Sequence, residues 1–182
     1  MPDETIRDGI ERVLLSEETI RRRVDELVEQ IKGDLGDADP VIVALLKGSI
    51  VFLADLIRGF DRPVAFDFVG VSSYGDGTSP GETPALTKEL SVDVAGRHVL
   101  VIDDILDTGR TLRHVLRYLE MFRPASVRTC VLLDKRARRD VAIEPDYTGF
   151  EIGDEFVVGY GMDFADRYRN LPYIGVLADP DT

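Results

Sequence analysis

Val99-Leu100-Val101-Ile102-Asp103-Asp104-Ile105-Leu106-Asp107-Thr108-Gly109-Arg110-Thr111-Leu112 reads as a buried strand that runs into two carboxylates, then a small polar turn, then a helix start. Four successive apolar residues at 99–102 suit a strand covered on both faces, the mark of a parallel sheet, with Asp103-Asp104 ending it. Leu112, Val115, Leu116 and Leu119 then recur at helical spacing until Arg123-Pro124. Both halves of the stretch have a chemical use. Vicinal carboxylates accept hydrogen bonds from two neighbouring hydroxyls, as on a ribose. Free N–H groups at a helix N-terminus, with threonine hydroxyls beside them, favour a phosphate. The stretch therefore fits a ribose 5-phosphate; the plainer alternative is a capped strand-to-helix turn with solvated acids.

Upstream, Ile20, Val24, Leu27, Val28 and Ile31 follow Ser16-Glu17-Glu18 at helical spacing, and Gly33 marks the expected stop. After Pro40, residues 41–46 form a second continuous apolar run, followed by Lys47-Gly48-Ser49 and a helix reaching Gly59. Residues 64–71 read as another strand, and residues 72–84 turn to Ser, Gly, Asp, Thr and Pro, a loop long enough to suggest a lid. Residues 85–90 suit a short strand and 127–133 a third buried one. Residues 150–154, 156–160 and 173–177 read as short strands of a closing lobe. Strands alternating with helices predict an α/β fold, a mostly parallel sheet flanked by helices in a Rossmann-like manner. One domain is expected, its core at about 36–150 and a small hood lobe from the chain ends, about 1–35 and 151–182. Ligands of such sheets bind beyond the strand carboxyl ends.

The 182 residues carry a net charge of −12, which argues against a chain whose main partner is nucleic acid. No stretch approaches the length of a membrane span, and residues 1–12 are acidic and polar where a signal peptide would be basic and then apolar. A cytoplasmic location and no membrane partner are the expectations. Cys130 is the only cysteine, so neither an intrachain disulfide nor a multi-thiolate metal site is available, and its apolar neighbours place it in the core. His98 and His114 lack metal-ligand spacing. Lysine occurs only at 32, 47, 88 and 135, against 18 arginines, which singles each of the four out for attention.

The 14-residue stretch at 99–112 resembles the signature of the type I phosphoribosyltransferases, which bind phosphoribosyl pyrophosphate. The likeness runs from about residue 40 to 177, in the order and spacing of the hypoxanthine-guanine branch. Leu46-Lys47-Gly48 is similar to the family's pyrophosphate loop. Ser72-Ser73-Tyr74-Gly75 looks like the start of its mobile lid, so Ser73 and Tyr74 become lid residues. Lys135 matches the lysine that touches the purine exocyclic oxygen. Phe156 matches the aromatic that stacks on the base, and Val157 the neighbour whose main chain reads its edge. Asp163 matches a metal-linked carboxylate and Arg169 a pyrophosphate contact.

The resemblance implies that Asp103, Asp104, Asp107, Thr108, Gly109, Arg110 and Thr111 bind ribose and phosphate. Lys47, Gly48 and Arg169 would then hold pyrophosphate, and Mg²⁺ would act as cofactor with Asp163, and with Asp103 and Asp104 directly or through ribose or water. It further implies transfer of the phosphoribosyl group to hypoxanthine or guanine, Asp107 as the group exchanging a proton with purine N7, and a homodimer or homotetramer. Two departures stand out: Asp103 replaces a frequent Glu, and Arg110 stands where Lys is also common. Competing readings are a xanthine- or guanine-preferring enzyme and a regulator of the same fold that senses phosphoribosyl pyrophosphate or binds RNA. The presence of Asp107, Lys135 and Phe156-Val157, with the acidic charge, favours the enzyme.

Overall fold

Three apolar runs, each too short for a helix of this kind and too apolar for a sheet face open to water, form the centre of the molecule. This computed structural model describes residues 9–72 and 85–178. The central strands are β2 (Val41–Leu46), β5 (His98–Leu106) and β6 (Ser126–Asp134), paired in parallel with β2 beside β5 and β5 beside β6. Their numbering follows chain order with β1 (Ile10–Leu15), α1 (Glu17–Leu35), α2 (Ile50–Arg58), β3 (Ala65–Ser72), β4 (Ala85–Lys88), α3 (Arg110–Glu120), β7 (Tyr147–Glu151), β8 (Val157–Val158) and β9 (Ile174–Leu177). The large sheet has the order β4-β3-β2-β5-β6-β7, parallel throughout except for the antiparallel edge strand β4. A second sheet, β1-β9-β8, is antiparallel.

Alternation along the buried strands divides the core in two. Ile42, Ala44, Leu100, Ile102 and Leu132 face α1 and α2, where Ile20, Leu27, Ile31, Phe52 and Leu56 meet them. Val41, Val43, Val99, Val101 and Val131 face the other way, onto Leu112, Val115 and Leu119 of α3. Both faces of the sheet are thus covered, as a parallel sheet requires. No helix among the described residues is long and apolar enough to cross a membrane.

Several elements differ from their sequence expectation. The Ser16 hydroxyl caps α1 as expected, accepting from Thr19 N at 3.2 Å, but the helix runs through Gly33 and ends at Gly36. Leu35 packs against the core, and that burial offsets a helical glycine's cost of about 1 kcal/mol. β5 does not end at the acids: Ile105 and Leu106 stay paired with Leu133 and Asp134, because β6 extends alongside and Leu106 has a buried site. The strand expected at 150–154 in the closing lobe is instead β7, hydrogen-bonded to β6. Arg23 of α1 donates to the Thr148 and Gly149 carbonyls at 2.7 and 2.9 Å, blunting that sheet edge. β8 is shorter than the run at 156–160, since Gly159, Tyr160 and Gly161 take positive φ and turn the chain. β1 pairs with the distant β9 and has no local pattern that announces it. α1 lies against α2 and β7 of the large sheet, while β1, β8 and β9 make the hood.

Asp67 on β3 ties down the far end of this sheet. Its carboxylate accepts from Lys88 Nζ at 2.8 Å and from the main-chain N–H groups of Phe68, Ser91 and Val92. Burial pushes the carboxyl up, yet Lys88 and the three N–H groups outweigh burial and hold its pKa at about 2. A lowered carboxylate pKa gives stability that is present above the ordinary value of 3.8 and is lost as pH falls towards 2. We expect Asp67→Asn to cost about 2 kcal/mol in urea unfolding at pH 7. Repeated at pH 5, 4 and 3, the same titration should show the gap to the parent protein narrowing steadily.

Candidate active site

The carboxyl ends of β2, β5 and β6 open on one side into a cleft of about 470 Å³, closed on the other side by residues of the hood. Lys47, Gly48, Asp103, Asp104, Asp107, Thr108, Gly109, Thr111, Lys135, Phe156, Val157, Asp163 and Arg169 all line it. The structure therefore brings together residues spread over more than a hundred positions. Arg110 is the exception among the described site residues: its side chain is exposed and ion-paired with Asp140 at 2.5 Å, outside the cleft lining. Ser73 and Tyr74 lie outside the described residues.

β5 carries the acids in. Asp103 is buried and Asp104 half-buried, with Asp104 N donating to Asp103 Oδ1 at 3.0 Å. Burial pushes the Asp103 carboxyl well up, and the neighbouring Asp104 charge adds to it. Burial also raises Asp104, opposed by its bond to Asp103, by the N–H groups of 104 and 105, and by Arg169. Two acids pressed towards neutrality are a site prepared for hydroxyl donors or for a cation. Gly48 stands directly over this pair: a Cβ there would collide with the Asp104 carboxylate. The Leu46–Lys47 peptide before it is cis.

Beyond β5, the chain turns at Gly109, whose φ of 84° suits glycine, into α3. Arg110 N donates weakly to Thr108 Oγ1 at 3.4 Å, and the N–H groups of that first turn, with the helix dipole, favour an anion beside Thr108 and Thr111. Lys135, at the end of β6, is buried and donates from Nζ to the Glu155 carbonyl at 2.8 Å. Burial lowers its pKa, and the charges of Asp107, Asp154 and Glu155 counter that effect. Phe156 is exposed at the rim and meets Phe164 edge to face at 5.6 Å. Arg169 pairs with Asp163 at 2.6 Å and donates to the Gly161 carbonyl at 2.8 Å, while Lys47 lies 3.5 Å from Asp166.

Two further residues, Arg138 and Asp154, line the cleft without having been marked by any motif. Arg138 Nε is 2.8 Å from Asp107 Oδ1, and its Nη1 is 2.9 Å from Asp154 Oδ1. No spacing or motif in the sequence marks them; the one local signal near them is the run of three arginines at 136, 138 and 139. As for a metal, no cluster of three or more His, Cys, Asp or Glu among the described residues is arranged to hold one. The hard, charge-starved carboxylates of 103 and 104 do fit Mg²⁺ that arrives with phosphate oxygens and keeps its waters.

The phosphoribosyl transferase domain family matches residues 14–165. A hypoxanthine-guanine phosphoribosyltransferase of Aquifex aeolicus is 47% identical over 169 residues, covering 92% of this chain and 95% of that protein. The bifunctional protein TilS/HprT of Listeria innocua is 43% identical over 96% of this chain, which spans only 27% of that longer protein. The crystal structure of a hypoxanthine-guanine phosphoribosyltransferase from Bacillus anthracis superimposes with a TM-score of 0.89 at 43% identity. That alignment covers 93% of this chain and 99% of the other.

Because the neighbour of Gly48 is a side chain able to shift, Gly48→Ala should fold with a nearly unchanged melting temperature. Its Cβ displaces the Asp104 carboxylate, and on the expectation that Lys47-Gly48 meets pyrophosphate together with Mg²⁺, that ligand should bind about tenfold or more weakly by calorimetry. Unchanged affinity would show that the contact between 48 and 104 does not shape the site.

Proposed function

The chain belongs to the phosphoribosyltransferase family, and from that premise we propose that it transfers the 5-phosphoribosyl group of phosphoribosyl pyrophosphate to a 6-oxopurine. Hypoxanthine and guanine are the acceptors in this reading, IMP or GMP and pyrophosphate the products, and purine salvage in the cytoplasm the setting. One observation carries it: the phosphate turn after β5 and the buried Lys135 after β6 open into the same cleft, from strands paired side by side. A ribose phosphate held at the first lies within reach of a base held at the second.

In this reading Thr108, Gly109 and Thr111, with the main chain of Arg110, hold the 5-phosphate. Asp103 and Asp104 accept from the ribose hydroxyls. Lys47, the Gly48 main chain and Arg169 meet the diphosphate, which draws Arg169 away from Asp163. Lys135 donates to the purine exocyclic oxygen, Phe156 covers the ring, and the Val157 main chain reads its edge. The purine nitrogen forms its bond to C1 as the bond from C1 to the diphosphate oxygen breaks, and Asp107 takes up the proton that the purine releases. Asp103, Asp104 and Asp163 would hold Mg²⁺ together with its waters and the substrate oxygens, and the ion would supply positive charge against the charge developing on the departing diphosphate. Protein dipoles and cations fixed before the reaction stabilise that charge without reorganising.

The acceptor preference depends on what meets the purine C2 substituent, so kcat/KM for hypoxanthine, guanine and xanthine measured side by side separates this reading from a xanthine-preferring one. The family resemblance also supports a homodimer or homotetramer, which sedimentation decides. Incubation with phosphoribosyl pyrophosphate, Mg²⁺ and each base should yield monophosphate; no product with any base would favour a sensing regulator. Asp107→Asn should lower kcat about a hundredfold or more while the protein still binds phosphoribosyl pyrophosphate. Full turnover by that variant would remove Asp107 from the proton transfer.

A further inference from the structure

The cleft contains an arginine to which none of the functions above assigns a part. Arg138 sits in the 3-10 turn Arg136–Arg138 that follows β6, and it reaches across to the loop after β5. That turn is fastened to the loop at several points. Lys135 N donates to the Leu106 carbonyl at 2.9 Å, Asp140 N to the Thr108 carbonyl at 3.2 Å, and Arg139 Nε to the Asp107 carbonyl at 3.2 Å. Arg139 is itself anchored on the buried Asp134 and on the Ile143 carbonyl. The main chain of residue 107 is therefore held independently of its side chain.

The side chain has a different neighbour. Asp107 Oδ1 is buried, without a well-aligned hydrogen bond, and the Arg138 guanidinium lies 2.8 Å from it. Yet the Asp107 side chain as a whole is 40% exposed. The exposure therefore falls on the rest of the group, which leaves Oδ2 to meet solvent or substrate. A carboxylate turns readily about its last bond, so its two oxygens are interchangeable unless a neighbour distinguishes them. Arg138 does so, and Asp154 meets the other side of its guanidinium, Nη1 to Oδ1, at 2.9 Å.

We propose that Arg138 is a positioning residue that pins Asp107 Oδ1 and presents Oδ2 to the purine nitrogen, a role resting on the reading of Asp107 as proton acceptor. An ordinary surface ion pair between groups this exposed would contribute little to stability. The effect of Arg138 belongs in turnover, where a misplaced base is costly.

The test measures kcat, KM for both substrates and melting temperature in Arg138→Ala, Arg138→Lys, Asp107→Asn and the Arg138→Ala/Asp107→Asn double variant. Arg138→Ala should lower kcat about tenfold to a hundredfold with the melting temperature preserved and KM for phosphoribosyl pyrophosphate within about twofold. Arg138→Lys should restore part of the loss, as a point charge without the guanidinium fork. In the Asp107→Asn background the arginine replacement should cost nothing further. Losses that multiply in the double variant, or an unchanged kcat in Arg138→Ala, overturn the proposal while leaving Asp107 in place. A raised KM for phosphoribosyl pyrophosphate at full kcat overturns it too, making Arg138 a phosphate ligand. Full turnover by Asp107→Asn instead removes the reading of Asp107, and the positioning role falls with it.

Discussion

The parallel ladder between β5 and β6 is the constraint on which the site depends. Its register sets Leu106 opposite Asp134, so the two strands end level with each other. The next residue on each, Asp107 and Lys135, then emerges at the same edge of the sheet, and the Lys135 N–H to Leu106 carbonyl bond extends the pairing one step further. A slip of one residue would turn the alternate side chains of β6 to the wrong faces, sending Leu132 and Val131 into each other's cores. The hydrophobic pattern that builds the two halves of the core is thus the same pattern that aligns the turn after β5 with a buried lysine.

Charge is concentrated where that alignment leaves room for it. Asp103 and Asp104 stay on a paired strand rather than in a solvated turn, and burial raises both. Such groups are costly unless hydroxyls or a cation meet them. Opposite them, Arg169 is held by Asp163 and by the Gly161 carbonyl, a basic group kept ordered but not locked away. The hood is essential to this arrangement, because β1, β8 and β9 carry Phe156, Val157 and the turn to Asp163 over the cleft. Elsewhere, Asp67 and Arg23 do structural work at the sheet's two ends, one tying β3 to the segment after β4, the other covering the edge at β7.

Much of this architecture was legible in local pattern. Continuous apolar runs announced β2, β5 and β6, and 3.6-residue spacing with a Ser16 cap announced α1. The family likeness, carried by residues 99–112, Lys47-Gly48, Lys135 and Phe156-Val157, picked out thirteen of the positions that meet in the cleft. What local pattern could not convey was partnership at long range. β1 exists because β9 pairs with it, β7 belongs to the large sheet because β6 offers an edge, and α1 outruns Gly33 because Leu35 finds the core. Arg110, at the centre of the motif, turns out to pair with Asp140 and does not line the cleft, a partnership thirty positions away that local pattern does not record.

By itself the sequence determined the α/β class, the strands buried on both faces and the kind of ligand suited to residues 99–112. Those features depend on neighbours a few residues apart, and periodicity records them. Only the tertiary structure decided that Gly48 stands against Asp104, that Lys135 is buried on the Glu155 carbonyl, and that Arg138 meets Asp107 across 31 positions of sequence. These are contacts between ends of different strands, set by register and by the turn after β6, and no spacing along one segment encodes them.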